Sequence, residues 1–416
     1  MVVGIIIGAS VFVQPSEINR HVPSIAGVLS VWAAAGVLTL LGSLVCAELS
    51  SVFPRTGGVY IFLKETVSPA AGFLWGWAMF WSAHSGIIAA SSVILARYVA
   101  FFAPLGDIGV RAVAIAAILL LSFVNYLGVR QGSRLQTAVT IAKVAAIVLL
   151  LAFVLSRTGT RSIAPAHPSS FSPRGFILGV SAALFAYGGW HMVTYTAGET
   201  RNAARTIPRA LFIGSLTVTV FYIALNAAYL YILPLDRVVS STRVAADAAQ
   251  VLAGARGAAI ISALVILSAV GVLNGVILAG PRTYYAMAEE HRAFRWLAAI
   301  HPRFRTPHRA ILLQAIWSSV LVATGTYRAL FTRVVYTEWL FFALLALGLA
   351  RLRRQPSYAP PYRMWGYPVA PALFAIAALT VAIVQIAADP VQSAAGLALV
   401  MLGLPVYYIW IAHARH

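Results

Sequence analysis

The sequence predicts an all-α polytopic membrane protein of about twelve transmembrane helices, and three observations carry that prediction. Of its 416 residues, 61% are apolar and only 10% carry a formal charge. Soluble domains average about 25% charged residues, so this chain has too few to cover a soluble surface. Apolar runs of about 18 residues or more recur from end to end, each long enough to cross a hydrocarbon core of about 30 Å. The runs are continuous rather than alternating, so they predict helices and not barrel strands, because lipid offers the backbone no other partner.

The twelve spans fall near residues 1–20, 28–52, 70–101, 109–128, 134–156, 175–197, 209–233, 258–286, 309–325, 330–352, 368–387 and 393–413. Met1 opens directly into MVVGIII with no charged leader or cleavage site, so the chain is expected to begin inside its first helix. The tract 161–175, with three prolines and four serines, reads as a solvent-exposed connector.

The net charge of +19 would suggest nucleic acid in a soluble protein. Here the basic residues lie in short segments between apolar runs, with no basic domain that could grip phosphates, so no nucleic-acid partner is expected. They read instead as topology signals. Placing the amino terminus in the cytoplasm puts most of them on that side, including Arg201, Arg205 and Arg209, then Arg292 to Arg309, then Arg351, Arg353 and Arg354. The expected location is therefore the cell membrane, plasma or inner, with both termini cytoplasmic. The one cysteine, Cys46, excludes intramolecular disulfides and reads as a small core residue.

Two spans are interrupted by small residues, the sequence sign of a discontinuous membrane helix. Span 1 carries Gly8, Ala9 and Ser10, followed by Val11 and Phe12 and then by Pro15. Span 6 carries Ala186, Tyr187, Gly188 and Gly189, followed by Trp190. Glycine costs about 1 kcal/mol in a helix interior, so a Gly-Gly pair loosens the helix and lets another group approach its backbone. An unwound turn bares N–H groups on one half-helix and C=O groups on the other, which suits a zwitterion carrying both charges on one carbon. The interruptions open spans 1 and 6. A single permease domain, 1–416, is thus expected to hold a five-helix repeat at 1–156, its inverted copy at 175–352 and two further helices at 368–413.

At these residues the chain resembles the amino acid/polyamine/organocation superfamily, and within it the L-type amino acid transporters and bacterial amino acid permeases. GIIIGASVFVQP is similar to the first-helix motif IIGSGIF with its following proline. AELSSVFPRTGGVYIFLKE, FAYGGWHMVTYTAGETRNAARTIPRA, NGVILAGPRTYYAMAEE, IHPRFRTPHRA and PPYRMWGYPVAP continue the likeness in order. The resemblance implies that backbone amides around Ala9, Ser10 and Val11 meet a substrate carboxylate, and that carbonyls of Ile6, Phe185, Ala186 and Gly188 meet the ammonium. Phe185 would also be an aromatic gate. Gly8-Ala9-Ser10 stands where the family has Gly-Ser-Gly, and His191 follows Trp190 where relatives often have asparagine.

Lys143 lies deep in span 5, where a charge costs at least about 2.5–3.5 kcal/mol, so it should face the bundle interior. The resemblance implies that this lysine replaces a sodium ion, tying span 5 to span 1 and to span 8, with Ser268 as partner. His84 shares a helical stripe with Trp77, Trp81 and Ile88, which is either a packed face or, as the resemblance implies with Ile87, a wall of the substrate pocket. Glu48 and Glu199, beside Arg55 and Arg201, are loop ion pairs or members of a cytoplasmic gate. Asn125, Asn226 and Asn274 suit contacts between helices.

The chain contains no GxSxG, HExxH, CxxC or phosphate-cradling loop, so neither an enzyme nor a cofactor is expected, and HPRFRTPH is not expected to bind metal. The function expected is secondary transport of an amino acid by alternating access, independent of sodium, by proton symport or exchange. No carboxylate stands in the middle of span 1, 3, 6 or 8, which points to small or branched neutral substrates. Organic cations or polyamines are the alternative substrates, and amino acid sensing without transport the alternative role. Expected partners are the amino acid, the bilayer and protons. No external cysteine matches the disulfide that joins some animal relatives to a heavy chain, so none is expected here.

Overall fold

A computed structural model describes residues 1–156, 172–241, 243–290, 292–325 and 327–414. The proline- and serine-rich connector lies largely outside them. Among the described residues, nine helices are long and apolar enough to cross a membrane: Ile25–Val52, Pro69–Val99, Asp107–Tyr126, Val129–Ser156, Pro173–Glu199, Ala203–Ile232, Val244–Glu290, Val369–Ala388 and Pro390–Ile409. They correspond to spans 2 to 8, 11 and 12. Span 9 is His308–Thr324, span 10 is Tyr327–Arg353, and span 1 is divided into Val2–Ile6, Ala9–Phe12 and Gln14–His21. Among the described residues there is no strand.

Local chemistry sets several helix ends. Ser24, Ser68 and Ser172 each accept the N–H three residues on, at 3.1 Å, and so cap spans 2, 3 and 6. Pro69 and Pro173 follow two of those caps, where a missing N–H costs nothing. Span 8 is preceded by a shorter helix from Val244, and the chain turns between them at Ala253 and Gly254, whose dihedral angles are non-helical.

Spans 3, 6 and 8 are mostly buried, whereas spans 4, 5, 11 and 12 turn most of their surface outward. That perimeter presents side chains such as Leu120, Ile141, Leu149 and Ile376, which are more than half exposed and suit contact with acyl chains. The most extensive contact between described helices joins span 2 to span 7, and span 8 packs along span 3. Spans five apart in order are therefore neighbours at the centre of the bundle.

Span 3 departs from the expected regularity. Met79–Ala83 forms a π turn, and Ser85 donates to the Phe80 carbonyl at 2.7 Å. The wider turn divides the expected stripe. Trp77 donates to the Leu399 carbonyl of span 12 and Trp81 packs on Trp317 of span 9, while His84 meets Tyr284 of span 8.

Candidate functional site

Both expected interruptions are present. In span 1 the helix stops at Ile6 and resumes as a 3-10 turn at Ala9, leaving Ile7 and Gly8 extended. In span 6 the helix Pro173–Ala186 stops, and a 3-10 segment, Trp190–Glu199, continues beyond Gly189. Gly189 sits at φ 92°, and a Cβ there would stand 2.5 Å from Ile5 Cγ2, so the residue permits both the turn and the approach of span 1.

The two interruptions are tied together. The Tyr222 hydroxyl of span 7 lies 2.7 Å from the Ile6 carbonyl and 2.9 Å from the Ala186 carbonyl. A hydroxyl holds one proton, so it serves these two acceptors alternately or as a shared bond. The Gly188 N–H donates to the Phe185 carbonyl at 3.1 Å. Three of the four carbonyls expected to meet an ammonium thus already accept a bond within the fold, each keeping a second lone pair.

Lys143 is fully buried and donates to the Gly4 carbonyl at 2.9 Å, the Ile7 carbonyl at 2.6 Å and the Ser268 carbonyl at 3.3 Å. The Ser268 hydroxyl donates to the Ile7 carbonyl at 3.1 Å. One ammonium therefore spends its three donors on the interrupted part of span 1 and on span 8.

Between the interruptions lies a partly open recess. Ile6, Gly8, Ser10, Phe185, Ala186, Gly188 and Trp190 line it, together with Ile87 of span 3. Ala9 lies in the adjoining 3-10 turn, and Val11 is buried in the core and does not line the recess. His84 and His191 are not on its wall either; both are fully buried. The His84 ring bonds Tyr284 at 2.9 Å, and the His191 ring packs between Trp75, Trp190, Tyr195 and Phe342.

The sequence reading missed Glu338. It lies on span 10, outside the four spans expected to line the substrate. Glu338 lines the recess beside Trp339 and Phe342, is 7% exposed, and leaves Oε1 without a partner among the described residues. The available signal was a lone acid in the apolar run YTEWLFFALL.

Glu48 and Glu199 are paired, but not with the neighbours expected. Arg55 lies beyond the end of the helix Ile25–Val52 and reaches Glu65 at 2.7 Å instead. Glu48 is fully buried and receives Arg353 Nε at 2.8 Å, a second Arg353 nitrogen, the Met364 N–H at 2.7 Å and the Tyr358 hydroxyl at 3.1 Å. Glu199 takes both arms of Arg282, at 2.9 and 2.8 Å. Glu290 accepts from Lys64 and Tyr60, each at 2.6 Å, so the short helix Val59–Thr66 is fastened to the end of span 8. Burial and the Glu290 carboxylate push the Tyr60 hydroxyl above its usual range, so it remains a donor at physiological pH. Even-numbered spans end on one side of the membrane, and all three clusters lie there. Asn125 and Asn274 bond each other at 2.9 Å between spans 4 and 8, whereas Asn226 bonds within its own helix. No cluster of metal-ligating residues occurs among the described residues.

A helical membrane bundle with two interrupted helices around one central recess defines a polytopic permease. The chain belongs to the amino acid permease family, whose sequence profile matches residues 1–409. It is similar to the serine/threonine exchanger SteT of Bacillus subtilis, with 31% identity over 98% of this chain and 94% of that protein. It is also similar to the human b(0,+)-type amino acid transporter 1, at 32% identity over 85% of this chain and 74% of the relative. The human cystine/glutamate transporter is 27% identical over 99% of this chain and 83% of its own length.

Proposed function

We propose that this permease exchanges α-amino acids across the cell membrane by alternating access, without sodium. The observation that carries the reading is the recess itself, bounded by the interrupted turns of spans 1 and 6. The backbone around Ala9 to Val11 receives the substrate carboxylate, and the second lone pairs of the Ile6, Phe185, Ala186 and Gly188 carbonyls receive the ammonium. Ile87, Ile94, Val272 and Val276 give the side chain an apolar wall that suits small or branched neutral residues. Phe185 closes over the bound molecule. His84 and His191 act behind the wall by fixing the aromatic side chains that shape it.

Lys143 occupies with an ammonium the place that a cation would otherwise take between spans 1, 5 and 8. This supports sodium independence, and the word exchanger in a relative's name favours exchange over net uptake. The contacts between spans five apart support two inverted repeats, 1–156 and 175–352. With both termini cytoplasmic, Glu48, Glu199 and Glu290 with their partners form the cytoplasmic gate.

Counterflow in sodium-free proteoliposomes tests the reading. Vesicles preloaded with one unlabelled amino acid at a time should accumulate a labelled neutral amino acid for a subset of preloads. No accumulation with any preload, from protein shown to be folded, would sink it.

A further inference from the structure

Glu338 is the most conspicuous unexplained group in the molecule. It is 7% exposed on the wall of the recess, and its Oε1 has no hydrogen-bond partner among the described residues. A buried carboxylate without a partner is costly, and the usual solutions are a cation, a hydrogen-bond donor or a bound proton. The cations near the core are committed elsewhere: Lys143 to three carbonyls, Arg282 to Glu199 and Arg353 to Glu48. Among the described residues none forms an ion pair with Glu338. Trp339, Phe342 and Trp190 line the same recess, and aromatic faces attract cations.

We propose that Glu338 is a specificity residue that admits amino acids whose side chains end in an ammonium or guanidinium group. The inference rests on the recess being the substrate site, as proposed above. The aliphatic stem of such a side chain lies along the apolar wall while its charged end meets the carboxylate. The pair then enters the membrane with its side-chain charges balanced. Neutral amino acids use the same backbone contacts and leave Glu338 unpaired.

The test uses the full chain. In counterflow, L-lysine and L-arginine should exchange alongside L-serine and L-leucine. Glu338→Gln should lower the ratio of cationic to neutral exchange by about tenfold or more, and Glu338→Asp by less. Thermal stabilisation of the detergent-solubilised protein by L-lysine, lost in Glu338→Gln, reads the same contact without transport. Failure of all exchange would remove the transport reading, and this stabilisation would still decide the role of Glu338. An unchanged exchange ratio in Glu338→Gln, or wild-type protein that L-lysine neither stabilises nor crosses through, overturns the proposal. Agmatine as effective as L-arginine would also overturn it, since agmatine lacks the carboxylate that the recess is proposed to hold.

Discussion

Two side chains hold the interrupted helices in place, and each joins separate parts of the sequence. Lys143 supplies a donor to the carbonyls of Gly4, Ile7 and Ser268. In Lys143→Met the Gly4 carbonyl loses that donor, at about 1–3 kcal/mol for a buried acceptor, whereas Ile7 keeps the Ser268 hydroxyl and the Ser268 carbonyl stays within the backbone ladder of its helix. The expected result is a lowered melting temperature and loss of most exchange; a variant with wild-type counterflow would show that the amine is dispensable. Tyr222 is a subtler case, since Tyr222→Phe removes one oxygen and leaves the packing. Its hydroxyl is worth about 0.5–1.5 kcal/mol, so substrate affinity in counterflow should fall by a factor of about 2 to 10 through looser preorganisation of the two turns. Lys143 was legible because a charge in an apolar run must find partners. Tyr222 was not, because a tyrosine in a membrane helix is unremarkable until its hydroxyl is seen between two distant carbonyls.

At the scale of the element, the span 6 interruption depends on two adjacent glycines that are not equivalent. Gly189 has φ 92°, and an added Cβ would stand 2.5 Å from Ile5 Cγ2. Gly188 lacks a left-handed φ, and its added Cβ would meet only the Phe185 carbonyl, at 3.1 Å. Gly189→Ala should therefore destabilise the solubilised protein by about 1–2 kcal/mol more than Gly188→Ala, from backbone strain alone, with the clash added. Equal melting temperatures for the two variants would contradict this account of the turn. Both interruptions were readable because a Gly-Gly or Gly-Ala-Ser cluster breaks a continuous apolar run. The π turn in span 3 has no such marker, and a regular helical wheel therefore placed His84 on the face of Trp77 and Trp81.

At the scale of the whole molecule, ion pairs join helices that are distant in sequence. Sequence proximity paired Glu48 with Arg55 and Glu199 with Arg201, but packing brings Arg353 and Arg282 from helices far along the chain. Such pairings depend on which helices become neighbours, and that order is fixed by the bundle and not by the loops. The Glu199–Arg282 fork joins spans 6 and 8, and Lys64 with Tyr60 fastens the short helix Val59–Thr66 to Glu290. Hydrogen bonds to charged groups contribute roughly 1.5–3 kcal/mol each, so losing the fork should shift the equilibrium toward opening at this face by about tenfold or more. Thr196 is 9% exposed and lies one turn before Glu199, and the only native cysteine, Cys46, is buried. A Thr196→Cys reporter should therefore react slowly with a maleimide over little background, and faster once Glu199→Gln is added. Exchanging the charges, with Glu199→Arg and Arg282→Glu together, should slow the labelling again. Labelling that ignores Glu199→Gln would mean that this ion pair fastens the helices without taking part in the gate.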